Sequence, residues 1–530
     1  MAERGLCLVT GASGYIGGRL VPELLAAGYP VRCMARNPDR LAGRPWRDEV
    51  ETARADAFDP RAVRRALSGA STAYYLIHSL GGRGSFEERD RAAARIFADA
   101  ARAAGLRRIV YLGGIAPAGA GGLSPHLRSR SEVGELLLAS GVPTAVLQAA
   151  VIIGSGSASF EMLRYLTERL PVMVTPTWVR TLIQPVAVRD VLYYLTACAG
   201  LPPEVSRRFD IGGPDIVTYA DMMRRYAAVA GLPRRLIVPV PVLTPQLSSL
   251  WVGLVTPVPG GLARPLVESL RNEVVCGEHD IAGWIADPPG GLTPLDEAIG
   301  LALRRASRPA GPLPGGSRAG DSRPGDSRPG DSLPGDALAR EALAGDALAS
   351  DALPGDPAWA GGSVYADERS AVVAASPGAL WQVIEGIGGD SGWYSLPAAW
   401  ALRGLLDRLA GGAGLRRGRR DPAHLREGDV VDFWRAESIE PGSRLRLRAE
   451  MKLPGEAWLE LSAEQDRAGR TVYRQRAVFR PHGLAGQVYW WSLRPFHDLI
   501  FGAMLRNIAA TASRGAPGPA GARRRTAAAR

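Results

Sequence analysis

Apolar positions in the first 300 residues alternate between short continuous runs and segments with helical spacing. The runs "LCLVTG", "PVRCMAR", "STAYYLIHS" and "RRIVYLGG" are typical of buried strands. Between these runs, the spacing predicts helices over 15–28, 60–67, 86–104 and 124–140. Strands that alternate with helices of this length predict an α/β fold with a doubly wound parallel sheet.

The pattern stops abruptly after residue 306, where an acidic residue recurs every five positions in copies such as "PGDSR" and "AGDAL". A segment built from Pro, Gly, Asp and Ala has too few apolar side chains to form a core. We therefore predict four regions: a first domain over 1–306, a disordered linker over 307–358, a second domain over 359–513 and a disordered basic tail over 514–530.

The second domain has a different order of elements. A strand is followed by two helices, one opened by Ser376 and one over 396–412. Alternating strands follow, the first over 429–441, and a long aromatic-rich helix covers 484–512. This order predicts an α+β domain in which a sheet grips its last helix. Five tryptophans either line an apolar cavity or fill the core: Trp393, Trp434, Trp458, Trp490 and Trp491.

The formal net charge of +11 comes in part from two local runs, "GLRRGRR" and "ARRRTAAAR". Such runs either attract an anionic partner or are solvated surface. No nucleic-acid motif accompanies them, so we expect no nucleic-acid partner. The four cysteines form no CxxC motif and no Cys/His cluster, so we expect no metal and a reducing, cytoplasmic environment.

Residues 236–263 carry no charge over a length that could cross a bilayer. Five prolines interrupt the segment, and a lipid-exposed helix could not satisfy the backbone groups that they leave free. We interpret it as a buried or pocket-lining segment, with a peripheral membrane contact as the open alternative. The N-terminus has no signal-peptide pattern.

The clearest chemical motif is "TGASGYIGG", which places Gly11, Gly14 and Gly17 directly after the first strand and into the first helix. Glycines allow a tight turn and a close backbone approach, and the helix N-terminus offers N–H groups to a pyrophosphate. The motif therefore predicts a Rossmann-type dinucleotide site.

The end of the second strand carries information about the cofactor. An acidic residue that would bind a ribose hydroxyl is absent there, and Arg36 takes its place with Arg40 nearby. A guanidinium can hold a 2′-phosphate, so the sequence favours NADP(H) over NAD(H). Asp56, after the third strand, either meets the adenine edge or caps its own loop.

The motifs "TGASGYIGG", "ARNP", "ADAFDP" and "YYLIHSLG" together resemble the atypical short-chain dehydrogenase/reductases. That group includes NmrA-like regulators and the NAD(P)H-binding subunit of respiratory complex I. The second domain resembles the START-like (SRPBCC) helix-grip proteins, which hold a small hydrophobic ligand.

The first resemblance implies a set of cofactor contacts. The backbone of Ser13, Tyr15 and Ile16 would hold phosphate beside Gly11, Gly14 and Gly17, and Asp56 and Ala57 would lie by the adenine. The residues expected on the ribose and nicotinamide side are Leu76, Ile77, His78, Val151 and Ile152.

The chain departs from this family at the catalytic motif. Working relatives have a Tyr-x-x-x-Lys pair, whereas this chain has His126 and Arg130 at those positions. Arginine can bind a hydroxyl or phosphate but does not deprotonate, and histidine can act as an acid near neutral pH. The alternative is a surface pair at the start of a helix capped by Ser124. Tyr75 and His78 are further candidate donors.

Three functions follow from these features. The first is hydride transfer between NADP(H) and an apolar carbonyl, enone or quinone-like substrate. The second is non-catalytic binding of NADP(H) in a redox-sensing or structural role. The third is carriage of a hydrophobic ligand by the second domain.

Overall fold

The computed structural model describes residues 4–79, 85–116, 122–240, 252, 255–304, 356–357, 359–388, 392–394, 421, 424–466 and 468–514. The chain forms two compact units, residues 1–362 and 363–530. Nearly all of the predicted linker, the predicted helix over 396–412 and the tail beyond residue 514 lie outside the described residues.

The first unit is built on a seven-stranded parallel sheet, as the alternating pattern predicts. Its strands run β3-β2-β1-β4-β5-β6-β11 across the sheet, so the order reverses between β1 and β4. Ligands of such sheets bind outside the carboxyl ends of the strands at this reversal point. The strands are β1 (Cys7–Thr10), β2 (Val31–Ala35), β3 (Glu51–Arg54), β4 (Thr72–Tyr75), β5 (Arg108–Gly114), β6 (Thr144–Ala149) and β11 (Arg207–Ile211).

Helices cover both faces of this sheet. Leu20 and Leu195 pack with the strands on one face, and Val63, Phe97 and Leu137 pack on the other. The helices concerned are α1 (Tyr15–Ala26), α2 (Pro60–Leu67), α3 (Phe86–Ala103), α4 (Pro125–Leu138) and α6 (Val188–Ala197). Helices α2, α3 and α4 begin at polar caps. Asp59, Ser85 and Ser124 each accept a hydrogen bond from a backbone N–H of the first helical turn.

A second core of the first unit forms beyond the carboxyl ends of β5 and β6. Phe160, Leu163, Met222 and Val267 belong to it. Its helices are α5 (Ala158–Arg169), α7 (Tyr219–Val229), α8 (Gly260–Ser269) and α9 (Leu295–Arg304). Three strand pairs complete it: β7 (Ile152–Ile153) with β10 (Val186–Ala187), β8 (Val172–Pro176) with β13 (Leu236–Val240), and β9 (Leu182–Ile183) with β12 (Val217–Thr218).

The uncharged segment over 236–263 is only partly buried. Val258 is buried, but Leu236 and Val238 on β13 are exposed because that strand pairs with β8 alone. The prediction that this segment is buried or lines a pocket therefore does not hold for β13. Among the described residues, no helix is both long enough and apolar enough to cross a membrane.

The last residues of the first unit pack against its start. The Asp356 carboxylate forms ion pairs with the buried guanidinium groups of Arg19 at 2.8 Å and Arg44 at 3.3 Å. The backbone N–H of Gly361 donates to the buried Glu161 carboxylate at 3.0 Å. The five-residue pattern does not reveal these contacts, since Asp356 lies in the same register as the preceding acidic residues.

Among its described residues, the second unit is a six-stranded antiparallel sheet with two helices. Leu380 and Ile384 of the first helix and Met504 of the second pack with Leu459 and Leu461 of the sheet. The strand order is β14-β19-β18-β17-β16-β15. The elements are β14 (Tyr365–Val373), α10 (Pro377–Glu385), β15 (Val430–Val431), β16 (Trp434–Glu440), β17 (Arg444–Ala449), β18 (Gly455–Gln465), β19 (Thr471–Pro481) and α11 (Gly483–Arg514).

Two predictions for this unit can be examined. The single strand over 429–441 is wrong, because Asp432 adopts a φ of 56° in a tight turn that pairs Val431 with Trp434. Trp393 and Trp434 belong to the core, and the indole N–H of Trp393 donates to Asp432 at 2.6 Å. For these two tryptophans, the core-filling alternative is the one observed.

Candidate functional site

The glycine loop after β1 is held against the end of β4. The Thr10 hydroxyl donates to the carbonyl of Tyr74 and accepts from the backbone N–H of Leu76, both at 2.9 Å. Gly11 has a φ of 66°, and a Cβ added there would lie 2.7 Å from the carbonyl oxygen of Leu76. No other residue fits this position without moving the backbone.

The same loop leads into the N-terminus of α1. Gly14 is the N-cap residue, and no side chain caps the first turn within the described part of the chain. A Cβ at Gly17 would approach the carbonyl oxygen of Gly11 to 2.4 Å, so the helix can start this close to the strand only with glycine. The backbone N–H groups and the positive helix end therefore fit a dinucleotide pyrophosphate.

The other predicted cofactor residues lie at the carboxyl ends of neighbouring strands. Arg36 follows β2 and is exposed, and Leu76, Ile77 and His78 follow β4 and are half-buried. Asp56 follows β3, and its carboxylate accepts a hydrogen bond from the backbone N–H of Phe58 at 3.0 Å. The parallel sheet brings these residues to one edge; their contacts with a cofactor remain predictions.

Two histidines meet at the position of the missing Tyr-x-x-x-Lys pair. His126 lies in the first turn of α4, and its Nε2 is 3.3 Å from Nε2 of His78 at the end of β4. The planes of the two imidazole rings are 26° apart. His126 is half-buried in contact with His78, which does not agree with the alternative of a surface pair with Arg130.

Each histidine has a second polar neighbour. His78 Nδ1 lies 3.5 Å from the carboxylate of Asp90 on α3, and His126 Nδ1 lies 3.1 Å from the hydroxyl of Ser269 at the end of α8. Ser269 also lies 2.9 Å from the hydroxyl of Ser124, the N-cap of α4. Three helices and one strand thus contribute to a continuous polar chain.

The charge states along this chain follow from burial and neighbouring charges. Burial, together with the nearby Arg130 guanidinium, lowers the pKa of His126 to about 3 and that of His78 to about 4. Burial acts to raise the pKa of Asp90, but hydrogen bonds from His78 and Ser79 outweigh it and hold the pKa at about 2. Near neutral pH both imidazoles are uncharged and Asp90 is ionised.

Tyr75 packs in the core, whereas Arg130 lies near the two histidines. The Tyr75 ring is buried against Phe97 and Tyr111, with ring centroids 4.9 Å and 6.1 Å away. Arg130 is half-buried, and its carbonyl accepts a hydrogen bond from the Tyr111 hydroxyl at 3.1 Å. Burial raises the pKa of Tyr75 well above the value of a free tyrosine.

A largely apolar cavity of about 120 Å³ lies beside this polar chain. His126 and Ser269 line it together with Gly114 at the end of β5 and Val151 after β6. Most of its wall comes from the second core: Met162, Leu163, Leu166, Trp178, Met222, Met223, Leu266 and Leu270. The cavity therefore combines an apolar wall with one polar corner, an arrangement typical of sites for hydrophobic ligands.

Sequence reasoning missed Asp90 and Ser269. Asp90 lies in the charged run "FEERDR", where it looks like part of a solvated helix face. Its burial shows only in the fold, where Ser79 and Ser129 also donate to it. Ser269 lies 143 residues from His126, in a segment without any recognisable motif.

Comparison with known proteins finds a family match in each unit. Residues 11–148 match the NAD(P)H-binding family model, and residues 359–504 match a family described as a protein of unknown function, DUF2867. A ceramide reductase of Caulobacter vibrioides is 31% identical over 272 residues, which are 49% of this chain and 83% of that protein.

Two further similarities cover different shares of the chains. Sterol demethylase protein B of Methylococcus capsulatus is 34% identical over 123 residues, 22% of this chain and 36% of that protein. The structure of Citrobacter triphenylmethane reductase complexed with NADP(H) is 20% identical and has a TM-score of 0.45, covering 56% of this chain and 99% of that one.

The glycine loop, the parallel sheet and the extent of the match to a curated reductase agree with one another. The chain belongs to the NAD(P)H-binding atypical short-chain dehydrogenase/reductases, and a separate DUF2867 domain is fused to its C-terminal side.

Proposed function

We propose that this protein is an NADP(H)-dependent oxidoreductase that interconverts a carbonyl and a hydroxyl group on an apolar, lipid-like substrate. The observation that carries the proposal is the apolar cavity whose polar corner, His126 and Ser269, lies beside Gly114 and Val151 at the ends of β5 and β6. Substrates of this fold bind at the carboxyl ends of the strands. The relative named ceramide reductase supports both the lipid character and the reaction class.

The proposed preference for NADP(H) depends on Arg36. Its side chain is exposed directly after β2, where a ribose 2′-phosphate would lie. A guanidinium there would form charge-assisted hydrogen bonds with the phosphate, which NADH lacks. Arg40 is also exposed and close in sequence, so it would add positive charge.

The residues of the chain would bind, orient and exclude water. Bound nicotinamide supplies the hydride or accepts it. The backbone of the glycine loop would hold the pyrophosphate, and the apolar wall around Leu163 and Met223 would take the hydrocarbon part of the substrate. This would leave the substrate oxygen at the polar corner formed by His126 and Ser269.

The test is single-turnover oxidation of NADPH by the full chain with long-chain ketones, enones and quinones, each compared with a short-chain analogue. We expect turnover with the long-chain compounds. Met223→Glu should raise the KM for them at least tenfold, because it places a carboxylate in the apolar wall. Val229→Glu, on the exposed side of the same helix, is the matched control and should leave KM unchanged.

A non-catalytic role as an NADP(H) sensor is the second candidate, and one observation favours it. His126, at the first position of the missing Tyr-x-x-x-Lys pair, contacts His78, and both imidazoles are uncharged near neutral pH. If bound NADPH survives every acceptor while the fold is intact, the enzymatic proposal is wrong and the sensor remains.

A further inference from the structure

We propose that Ser269 exchanges a proton with the substrate oxygen through a relay of His126 and His78, and that Asp90 sets the direction of this relay from its far end. The inference deepens the proposed function and rests on it. Ser269 would be the catalytic residue, since it lines the cavity. His78 and Asp90 would act through His126 as positioning residues.

The contacts are continuous from the cavity to Asp90. Ser269 Oγ lies 3.1 Å from His126 Nδ1, the two Nε2 atoms are 3.3 Å apart, and His78 Nδ1 lies 3.5 Å from the Asp90 carboxylate. Every link joins groups that can each give or accept a proton. The relay therefore needs only small adjustments of the side chains to transmit a proton.

Asp90 sets the direction of the hydrogen bonds. Its buried carboxylate is ionised and only accepts, so the proton of His78 lies on Nδ1. His78 Nε2 then accepts from His126 Nε2, and His126 Nδ1 accepts from the Ser269 hydroxyl. In this resting state every group donates toward Asp90.

The Ser269 hydroxyl has one competing acceptor. It lies 2.8 Å from the carbonyl oxygen of Pro265, one turn earlier in α8. A hydroxyl has a single proton, so it is shared between Pro265 and His126. The Ser124 hydroxyl, at 2.9 Å, can donate to the Ser269 oxygen and hold it at the cavity wall.

The step is balanced in both directions. In oxidation, the substrate O–H bond breaks and its proton goes to Ser269, whose own proton passes to His126 Nδ1. His126 releases its Nε2 proton to His78, which becomes an imidazolium beside the Asp90 carboxylate. Bound oxidised nicotinamide would accept the hydride of the adjacent C–H bond, so the alcohol would lose two electrons and become a carbonyl. Reduction is the reverse and begins with the extra proton on His78.

The first arm of the test needs no substrate. Nitrogen-15 spectra of the histidine-labelled full chain, assigned with single His→Gln variants, report which ring nitrogen carries the proton. We expect the proton on Nδ1 of His78 and on Nε2 of His126. The opposite pattern in the wild-type protein overturns the relay.

Asp90→Asn should invert both tautomers. The backbone N–H of Ser79 donates to Asp90 Oδ1 at 2.9 Å, so the amide oxygen must take that place. The amide nitrogen then replaces Oδ2 and donates to His78 Nδ1. Asp99→Asn, an exposed change on the same helix, is the control and should leave the spectra unchanged. Unchanged tautomers in Asp90→Asn overturn the relay.

The second arm measures turnover. Ser269→Ala should lower kcat about 100-fold, a typical effect of losing a proton-transfer group. The Kd for NADPH should stay the same, and Ser131→Ala, an exposed change on α4, should have no effect. If the wild-type protein oxidises no NADPH, the proposed function and this role both fail. Normal kcat in Ser269→Ala overturns the relay alone.

Discussion

Individual side chains decide the chemistry of the proposed site, and their surroundings explain why. His126 and His78 are half-buried polar groups that contact each other, and each lies near one further polar group, Ser269 for His126 and Asp90 for His78. Arg36, by contrast, is exposed to solvent, so its charge is available to a phosphate. In the proposed function, the two histidines would move the proton and Arg36 would select the cofactor.

Arg36→Glu should separate the two cofactors. Replacing a cation that would contact the 2′-phosphate by an anion should weaken NADPH binding about 10- to 100-fold, from a typical 1.5–3 kcal/mol for a charged hydrogen bond. NADH binding should change little. Fluorescence titration measures both affinities, and Arg64→Glu, an exposed change on α2 with the same charge difference, is the control. Equal weakening of both cofactors contradicts the assignment.

The pH profile of the two reaction directions should differ. The charged groups that face the histidines are Asp90 on α3 and Arg130 on α4. Burial, with help from Arg130, lowers the pKa of His126 to about 3 and that of His78 to about 4, so the relay carries no extra proton near neutral pH. Reduction should therefore slow about tenfold per pH unit between about pH 6 and 8, and oxidation should stay constant. Steady-state kinetics at saturating cofactor measure this, and reduction without pH dependence contradicts the relay.

At the scale of elements, the end of the first unit is linked to the glycine loop. We call its described residues, 356–357 and 359–362, the strap. Asp356 places a carboxylate between the guanidinium groups of Arg19 on α1 and Arg44 after β2. Arg44 also donates to the carbonyl of Ser13 in the glycine loop at 3.2 Å. Asp356 is therefore linked through Arg44 to the backbone that would hold the pyrophosphate.

Asp356→Asn should destabilise the first unit. Removing the charge of one partner from a buried ion pair costs about 3 kcal/mol, because the arginine charges stay buried. Urea unfolding of the full chain, followed by circular dichroism, measures the loss. Asp48→Asn, an exposed change in the loop after β2, should have no effect. Equal stability of the two variants would show that the strap contributes nothing.

At the scale of the whole molecule, each unit has its own hydrophobic core. The cores of residues 1–362 and the core of residues 363–530 share no member among the described residues. Cofactor binding should therefore stabilise only the first unit.

Calorimetry of the full chain should show two transitions, of which NADPH moves one. NADPH at 100 times its Kd stabilises the unit that binds it by about 2.7 kcal/mol, which raises Tm by about 5 °C for a unit of this size. The second transition should match that of residues 363–530 expressed alone. A single transition that NADPH moves as a whole would contradict thermal independence of the units.

Much of the fold follows from local pattern. The predicted helix over 60–67 matches α2, and the predicted strand "STAYYLIHS" contains β4, which begins at Thr72. Prediction failed where one residue changed the backbone direction, as at Asp432, whose left-handed turn splits an apolar alternation that looks continuous. It also failed at β13, because pairing with a single neighbour leaves apolar side chains exposed.

By itself, the sequence determined the parallel sheet and the glycine loop, because both depend on residues that are close together in the chain. The alternation of strand and helix patterns sets the layers of sheet and helices, and Gly11 and Gly17 leave room for backbone contact. Only the tertiary structure decided the polar corner. Asp90, His126 and Ser269 come from three helices, and no periodicity links positions as far apart as the 143 residues between the last two. Their chemistry depends on burial and distance, which the parallel sheet and the packing of α8 on α4 create.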